Sequence, residues 1–249
     1  MKIDFSDDSK IPELKTLWAQ CFSDPMPFID GFFEAGYSPR RCRCLTEQGR
    51  VAAALYWFDM EYRGQKMAYL YGVATAPKYR GQGLCRRLMG NTHDLLHSQG
   101  YTAALLLPGE PELRQMYGKL GYRDHCELRE FSCQPGQAVP LEEISWQAYA
   151  ARRSGFLPEN GATQDGLGFL ATYAHFYRGD GFLLAAAREG GHLLGLKLLG
   201  KTEAAPGILT ALGCEKGSFR TPGRGKKTVM ALSLQAGTVL PGYVGLTFD

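Results

Sequence analysis

The sequence predicts an α/β protein: a mixed, mostly antiparallel sheet flanked by helices, followed by a second, smaller α+β domain. Three observations carry this reading. Strand-period and helix-period segments succeed one another along the first half, a glycine loop separates a strand from a helix near residue 80, and the composition turns to linker around QPGQAVP. At 249 residues the chain has room for two modest domains, and 45% hydrophobic residues supply material for packed cores. The domains are read as residues 1–134 and 135–249.

MKIDF alternates like a short strand. SDDSK offers helix caps ahead of IPELKTLWAQCF, where Leu14, Trp18 and Cys21 recur at helical spacing, and PFIDGFFEAGY fits a second short helix. The period then changes. RCRCLTEQGR reads as a strand and turn, VAAALYWFDM as a buried strand, YRGQ as a turn and MAYLYGVATA as another apolar strand, which makes a three-strand antiparallel meander. From Leu84 the period is helical, with Leu84, Leu88, Thr92, Leu95 and Leu96 in one stripe and Gly100 at the expected C-cap. YTAALLLP is a continuous apolar strand, PELRQMYGKLG a short helix and YRDHCELREFSC an alternating strand.

In the second half, LEEISWQAYAARR and LGFLATYAHFYR read as helices, the latter carrying Phe169, Tyr173, Phe176 and Tyr177 on an aromatic face. FLLAAAREGGHLLGLKLLGK reads as a hairpin, and ILTALGC, SFRTPGRGKKTVMALSL and YVGLTF as strand-like runs, with TPGRGKK a hairpin turn. LTEQGRVAAALYWF and AAREGGHLLGLKLL share the order strand, glycine turn, apolar strand, a weak internal repeat.

Composition narrows the function classes. A net charge of +3 argues against a dedicated nucleic-acid binder, which carries a far stronger basic excess. The N-terminus lacks the apolar core of a signal peptide, and no apolar run approaches the roughly 18 residues of a membrane span. Seven scattered cysteines without a CxxC pair fit a reduced, cytoplasmic protein. Cys42 and Cys44 are expected on opposite faces of a strand, unsuited to a bridge or to shared metal ligation. His93 and His97 stand four apart on a face shared with Arg86 and Gly90, opposite the leucine stripe, and are expected to be solvated, so no metal site is read there.

The loop before Leu84 is the most informative stretch. In APKYRGQGLCRRL a strand, a glycine turn and a helix follow one another directly. The first N–H groups of such a helix lack carbonyl partners, and its dipole adds partial positive charge. Gly81 and Gly83 let the backbone approach a ligand, and Arg80, Arg86 and Arg87 add cations. Cys85, at a helix start, is a candidate for a lowered thiol pKa, but its place inside the loop reads as a packing position more than as a nucleophile. On the residues alone, a phosphate cradle and a solvated basic turn both remain.

VATAPKYRGQGLCRRLM resembles the acetyl-CoA signature of the GNAT acetyltransferase superfamily, a strand followed by Arg/Gln-x-x-Gly-x-Gly/Ala at a helix N-terminus. The match here runs Arg80, Gly81, Gln82, Gly83, Leu84, Cys85, with cysteine where glycine or alanine is usual. The order of elements through about residue 133 resembles that fold as well. The resemblance implies that pantetheine pairs with the backbone at Val73 and Thr75 and that the pyrophosphate sits on the amides from Arg80 to Cys85. It also implies that Tyr117, in MYGKLGY, stands near the thioester sulfur as a general acid, where packing alone is the other reading; Tyr122 is expected in the core.

Many relatives place a glutamate on the strand before the loop, but MAYLYGVATA has no acid. Asp59 and Glu61 lie toward the far turn, Tyr69 and Tyr71 suit either a water or the core, and the C-terminal carboxylate of Asp249 is a remaining candidate for the base. The two halves together resemble the Eis-type tandem arrangement, a catalytic GNAT half joined to a degenerate GNAT-like half. The expected function is acetyl-CoA-dependent N-acetyl transfer, directly to a primary amine on a small molecule or peptide. The rival is a non-catalytic CoA-binding regulatory or interaction module. The acceptor and the oligomeric state are not legible.

Overall fold

The computed structural model describes residues 1–157 and 164–244. Its elements begin with β1 (Lys2–Phe5), α1 (Ile11–Cys21), α2 (Met26–Ala35), β2 (Cys42–Glu47), β3 (Arg50–Tyr62), β4 (Gln65–Thr75), α3 (Leu84–Ser98), β5 (Ala103–Leu106), α4 (Pro111–Gly118) and β6 (Arg123–Asp124). They continue with β7 (Glu127–Cys133), β8 (Leu141–Ile144), α5 (Trp146–Arg153), α6 (Gln164–Leu170), β9 (His175–Gly179), β10 (Phe182–Glu189), β11 (His192–Gly200), α7 (Ala205–Ala211), β12 (Lys216–Pro222), β13 (Lys226–Lys227) and β14 (Met230–Ser233). Contacts divide the described chain into two compact units, one of residues 1–124 with 229–240, the other of residues 125–228 with 241–244.

The first unit holds a mixed sheet in the order β1-β2-β3-β4-β5-β14-β6. β2, β3 and β4 form the expected meander, β5 runs parallel to β4, and β14 returns from late in the chain to pair antiparallel with β5. One core joins Leu55, Leu70, Leu84, Leu88, Leu96 and Tyr122, so the leucine stripe of α3 packs on the sheet as its spacing requires. Around Trp18 a second cluster of rings gathers, with Phe32 at 4.7 Å, Tyr56 at 5.7 Å and Tyr71 at 5.6 Å between centroids.

The second unit has its own sheet, ordered β13-β7-β12-β11-β10-β9-β8. Its β9, β10 and β11 run antiparallel in sequence, α7 follows, and β12 lies parallel to β11. This repeats the order β2, β3, β4, α3, β5 of the first unit. Between β11 and α7, however, stands Lys201–Ala204 with no pair of glycines.

Several local expectations change. YRDHCELREFSC is two strands, and β7 belongs to the second sheet. LEEISWQAYAARR splits into β8 and α5, because Ser145 caps the helix by accepting from the Ala148 N–H at 3.2 Å. LGFLATYAHFYR splits into α6 and β9, which puts Phe176 and Tyr177 on a strand rather than on one helical face with Phe169. ILTALGC is largely the helix α7, whose Ile208 and Leu209 are fully buried. TPGRGKK is not a hairpin turn, since β12 and β13 flank β7 on opposite sides. Cys42 and Cys44 share one face, with sulfurs 3.8 Å apart, because side chains two apart on a strand point the same way. Asp249 and most of YVGLTF lie outside the described residues. Among the described residues no helix is long and apolar enough to cross a membrane.

Candidate active site

The site is built where β4 outruns its neighbour. β4 pairs with β5 only from Met67 to Leu70, yet continues to Thr75 along β3. Beyond Leu70 the β5 side of β4 therefore has backbone groups without a strand partner. Ala76 donates its N–H to Ala52 O at 2.9 Å, so by antiparallel alternation the groups of Thr75 point away from β3, toward that gap. The Thr75 carbonyl accepts from Arg80 Nε at 3.1 Å and from the Cys21 thiol at 3.4 Å, which leaves its N–H as the group open to a ligand.

A β-bulge sits at the edge of the gap. Ala54 faces Ala74 and Tyr56 faces Tyr71, so Leu55 alone opposes Gly72 and Val73. Gly72 has φ +55°, and a Cβ there would lie 2.9 Å from Tyr56 Cδ2 and 3.2 Å from Trp18 Cζ3. Only glycine fits both the left-handed backbone and the space. The extra residue also reverses the alternation. Ala68 and Leu70 pack into the α3-side core and Tyr71 packs against Trp18, but Val73 returns to the α3 side. The sequence reading passed over Gly72; a glycine inside an apolar strand run was the available signal.

The loop follows directly. Gly81 and Gly83 have φ +76° and +74°, and a Cβ at either position would meet nothing within 4 Å, so the glycines serve backbone conformation and leave open space above it. Gly83 is the N-cap of α3 and no side chain caps that end; the first helical bond runs from Arg87 N–H to Gly83 O at 3.0 Å. The amides of Leu84, Cys85 and Arg86 are thus free of helical acceptors.

These parts line one cavity of about 570 Å³, bounded by Val73, Thr75, Arg80, Gly81, Gly83, Leu84, Cys85 and Tyr117. Of the residues that the GNAT resemblance assigns to acetyl-CoA or to acid catalysis, Gln82 alone is outside it, its amide donating to Lys78 O at 3.3 Å. Arg86 lines the cavity, whereas Arg87 reaches back toward Met1 O at 3.5 Å. The exposed Arg80 side chain folds back onto the strand end, toward Thr75 O and the Cys21 sulfur.

Burial sets the protonation states. Tyr117 is 5% exposed, and burial, with Cys85 nearby, pushes its phenol well above the ordinary range. Its ring meets Tyr122 edge-on at 5.9 Å, and among the described residues its hydroxyl has no hydrogen-bond partner. Cys85 is not activated: burial raises its thiol pKa, outweighing the helix start, so it stays neutral and acts as packing. His93 is not solvated either. It bonds the Tyr122 hydroxyl at 2.8 Å, and burial lowers its pKa to about 4. Asp59 lies at the other end of the strands, paired with Ala68 and bonded by Tyr101 and Arg41.

The family model described as Acetyltransferase (GNAT) domain matches residues 2–124. Among solved structures, a GCN5-related N-acetyltransferase from Kribbella flavida superposes with a TM-score of 0.70 at 16% identity, over 94% of this chain and 72% of that one. A GCN5-related N-acetyltransferase from Anabaena variabilis gives 0.71 at 16% identity, over 94% and 73%. Eis1 from Mycobacterium abscessus gives 0.69 at 10% identity, over 94% and 74%. At these identities the likeness is one of fold, and it spans both units. No curated protein matches the sequence significantly.

Proposed function

We propose, for a chain whose residues 2–124 match the GNAT acetyltransferase domain model, that it transfers acetyl from acetyl-CoA directly to a primary amine. The observation that carries this reading is the single cavity joining the open edge of β4, the glycine loop at the start of α3 and the buried phenol of Tyr117. Acetyl-CoA is the second substrate, and each part of the cavity has work suited to it. The free N–H of Thr75 and the edge groups of Val73 suit the amides of an extended pantetheine arm, added to the sheet like a short strand. The amides from Gly81 to Cys85 suit the pyrophosphate, with Arg86 beside them.

Tyr117 then faces the sulfur. A phenol held protonated by burial stabilises a departing thiolate best by donating a hydrogen bond to it as the charge develops. The neutral thiol of Cys85 adds no competing negative charge. The amine must arrive neutral. No carboxylate lines the cavity among the described residues, so its proton leaves to water or to a group outside them.

The second unit reads as a degenerate GNAT-like domain over the latter half of the chain. Its meander, helix and parallel strand repeat the first unit's order, and the missing glycine pair before α7 supports a loss of cofactor binding there.

The test is thermal unfolding. Acetyl-CoA at about 100 times its Kd stabilises by about 2.7 kcal/mol and raises the melting temperature accordingly. Gly83→Trp, which fills the open space over the loop, removes the rise. No rise in the wild type refutes the cofactor reading.

A further inference from the structure

The strand β2 carries a pair of thiols that the transfer mechanism does not use. Cys42 and Cys44 are both buried, share one face and bring their sulfurs to 3.8 Å. Neither lines the cavity at Tyr117. The backbone beneath them is held from both sides, by β1 and by β3. Across the strand Cys42 faces Tyr56 and Cys44 faces Ala54, so one sulfur lies by a large buried ring and the other by a small side chain. The Ser6 hydroxyl lies beside both sulfurs and accepts from the Tyr37 hydroxyl at 3.1 Å, while the Ser6 N–H donates to Cys42 O at 3.0 Å. Ser6 also lines an open cavity of about 660 Å³ with Phe5, Ser38 and Arg40, which puts the pair one small side chain from open space.

Two thiols this close can be joined directly or through an ion, and the strand geometry separates the two cases. A disulfide needs sulfurs at about 2.05 Å and Cβ atoms about 3.8 Å apart. Same-face residues on a strand repeat every ~6.7 Å, so closing that bond would pull β2 out of its pairing with both neighbours. A metal ion with bonds of about 2.3 Å to each sulfur spans about 4.0 Å when bent at 120° and about 4.6 Å when linear. The observed 3.8 Å has only to open by a few tenths of an ångström or somewhat more. Among the described residues no third histidine, cysteine or carboxylate joins the pair, so the donor set is two sulfurs and suits a soft ion of low coordination number rather than tetrahedral zinc. We propose that Cys42 and Cys44 form a two-thiolate site for copper(I). Binding releases two thiol protons and takes up one monovalent cation, which leaves one net negative charge. Lys10 and Arg43 supply the positive field that offsets it.

The experiment titrates the reduced full chain, under argon, with copper(I) buffered by bicinchoninate. The wild type is expected to withdraw one equivalent from the chelator, and Cys42→Ser and Cys44→Ser are each expected to weaken that uptake at least about 100-fold. Cys133→Ser, on β7 in the other unit, is expected to leave it unchanged. No uptake by the wild type overturns the proposal, as does uptake that Cys42→Ser leaves intact. A loss in Cys133→Ser equal to that in Cys42→Ser overturns it too, since it marks opportunistic binding by any thiol. If the serine variants do not fold, X-ray absorption of the wild type loaded with one equivalent decides: two sulfur ligands support the site, and a shell of nitrogen and oxygen, or of three or more sulfurs, overturns it.

Discussion

Replacing Gly72 by alanine is the sharpest test of how the site is built. The methyl group would enter at φ +55°, 2.9 Å from Tyr56 Cδ2 and 3.2 Å from Trp18 Cζ3. A left-handed backbone costs a non-glycine residue about 1–2 kcal/mol. Displacing a buried ring in a packed cluster adds about 1–2 kcal/mol, at the low end of overpacking costs. Tyr56 is 3% exposed and Trp18 2%, so neither ring has solvent to move into. The sum, about 2–4 kcal/mol, corresponds to a melting temperature lower by roughly 6–12 °C for a chain of this size. Urea unfolding of Gly72→Ala against wild type measures the loss directly. In a Tyr56→Leu background the Tyr56 share of the contact part should vanish, leaving the backbone part, about 1–2 kcal/mol, together with the milder Trp18 contact. A loss under about 0.5 kcal/mol in the wild-type background would refute the bulge as the reason for glycine here.

Two further predictions concern buried protons. Tyr117→Phe should lower kcat by about 10- to 100-fold while leaving the Kd of acetyl-CoA within about twofold, because the change removes a donor needed only as the thiolate forms. Equal losses in both would assign Tyr117 to binding or packing. His93, whose pKa falls from 6.5 to about 4 on folding, takes up its proton more readily in the unfolded chain. Its contribution is therefore fully present above pH 6.5 and is lost as pH falls toward 4. Between pH 7.5 and 5 this group alone should cost about 2 kcal/mol of stability, read from denaturation midpoints. His93→Gln should flatten that slope, and an unchanged slope would show that His93 is not buried neutral.

Much of the first unit was legible because its signals are local. The meander, the leucine stripe of α3 and the glycine loop each depend on periodicity or on a residue type that only one backbone conformation requires. The second unit was less legible for a physical reason. Its helices are short, so a pattern such as LGFLATYAHFYR fits either a helix or a helix followed by a strand until tertiary contacts choose. ILTALGC shows the same ambiguity, as a short apolar run whose helical form is settled by burial of Ile208 and Leu209.

By itself the sequence determined the loop: Gly81 and Gly83 ahead of Leu84 leave the chain little choice, because only glycine adopts those angles freely and a helix must start with unpaired amides. The tertiary structure alone decided what surrounds it. β5 stops short of the end of β4, the Gly72 bulge turns Val73 to the α3 side, and burial keeps both Tyr117 and Cys85 protonated. Strand pairing, alternation and desolvation depend on neighbours distant in sequence.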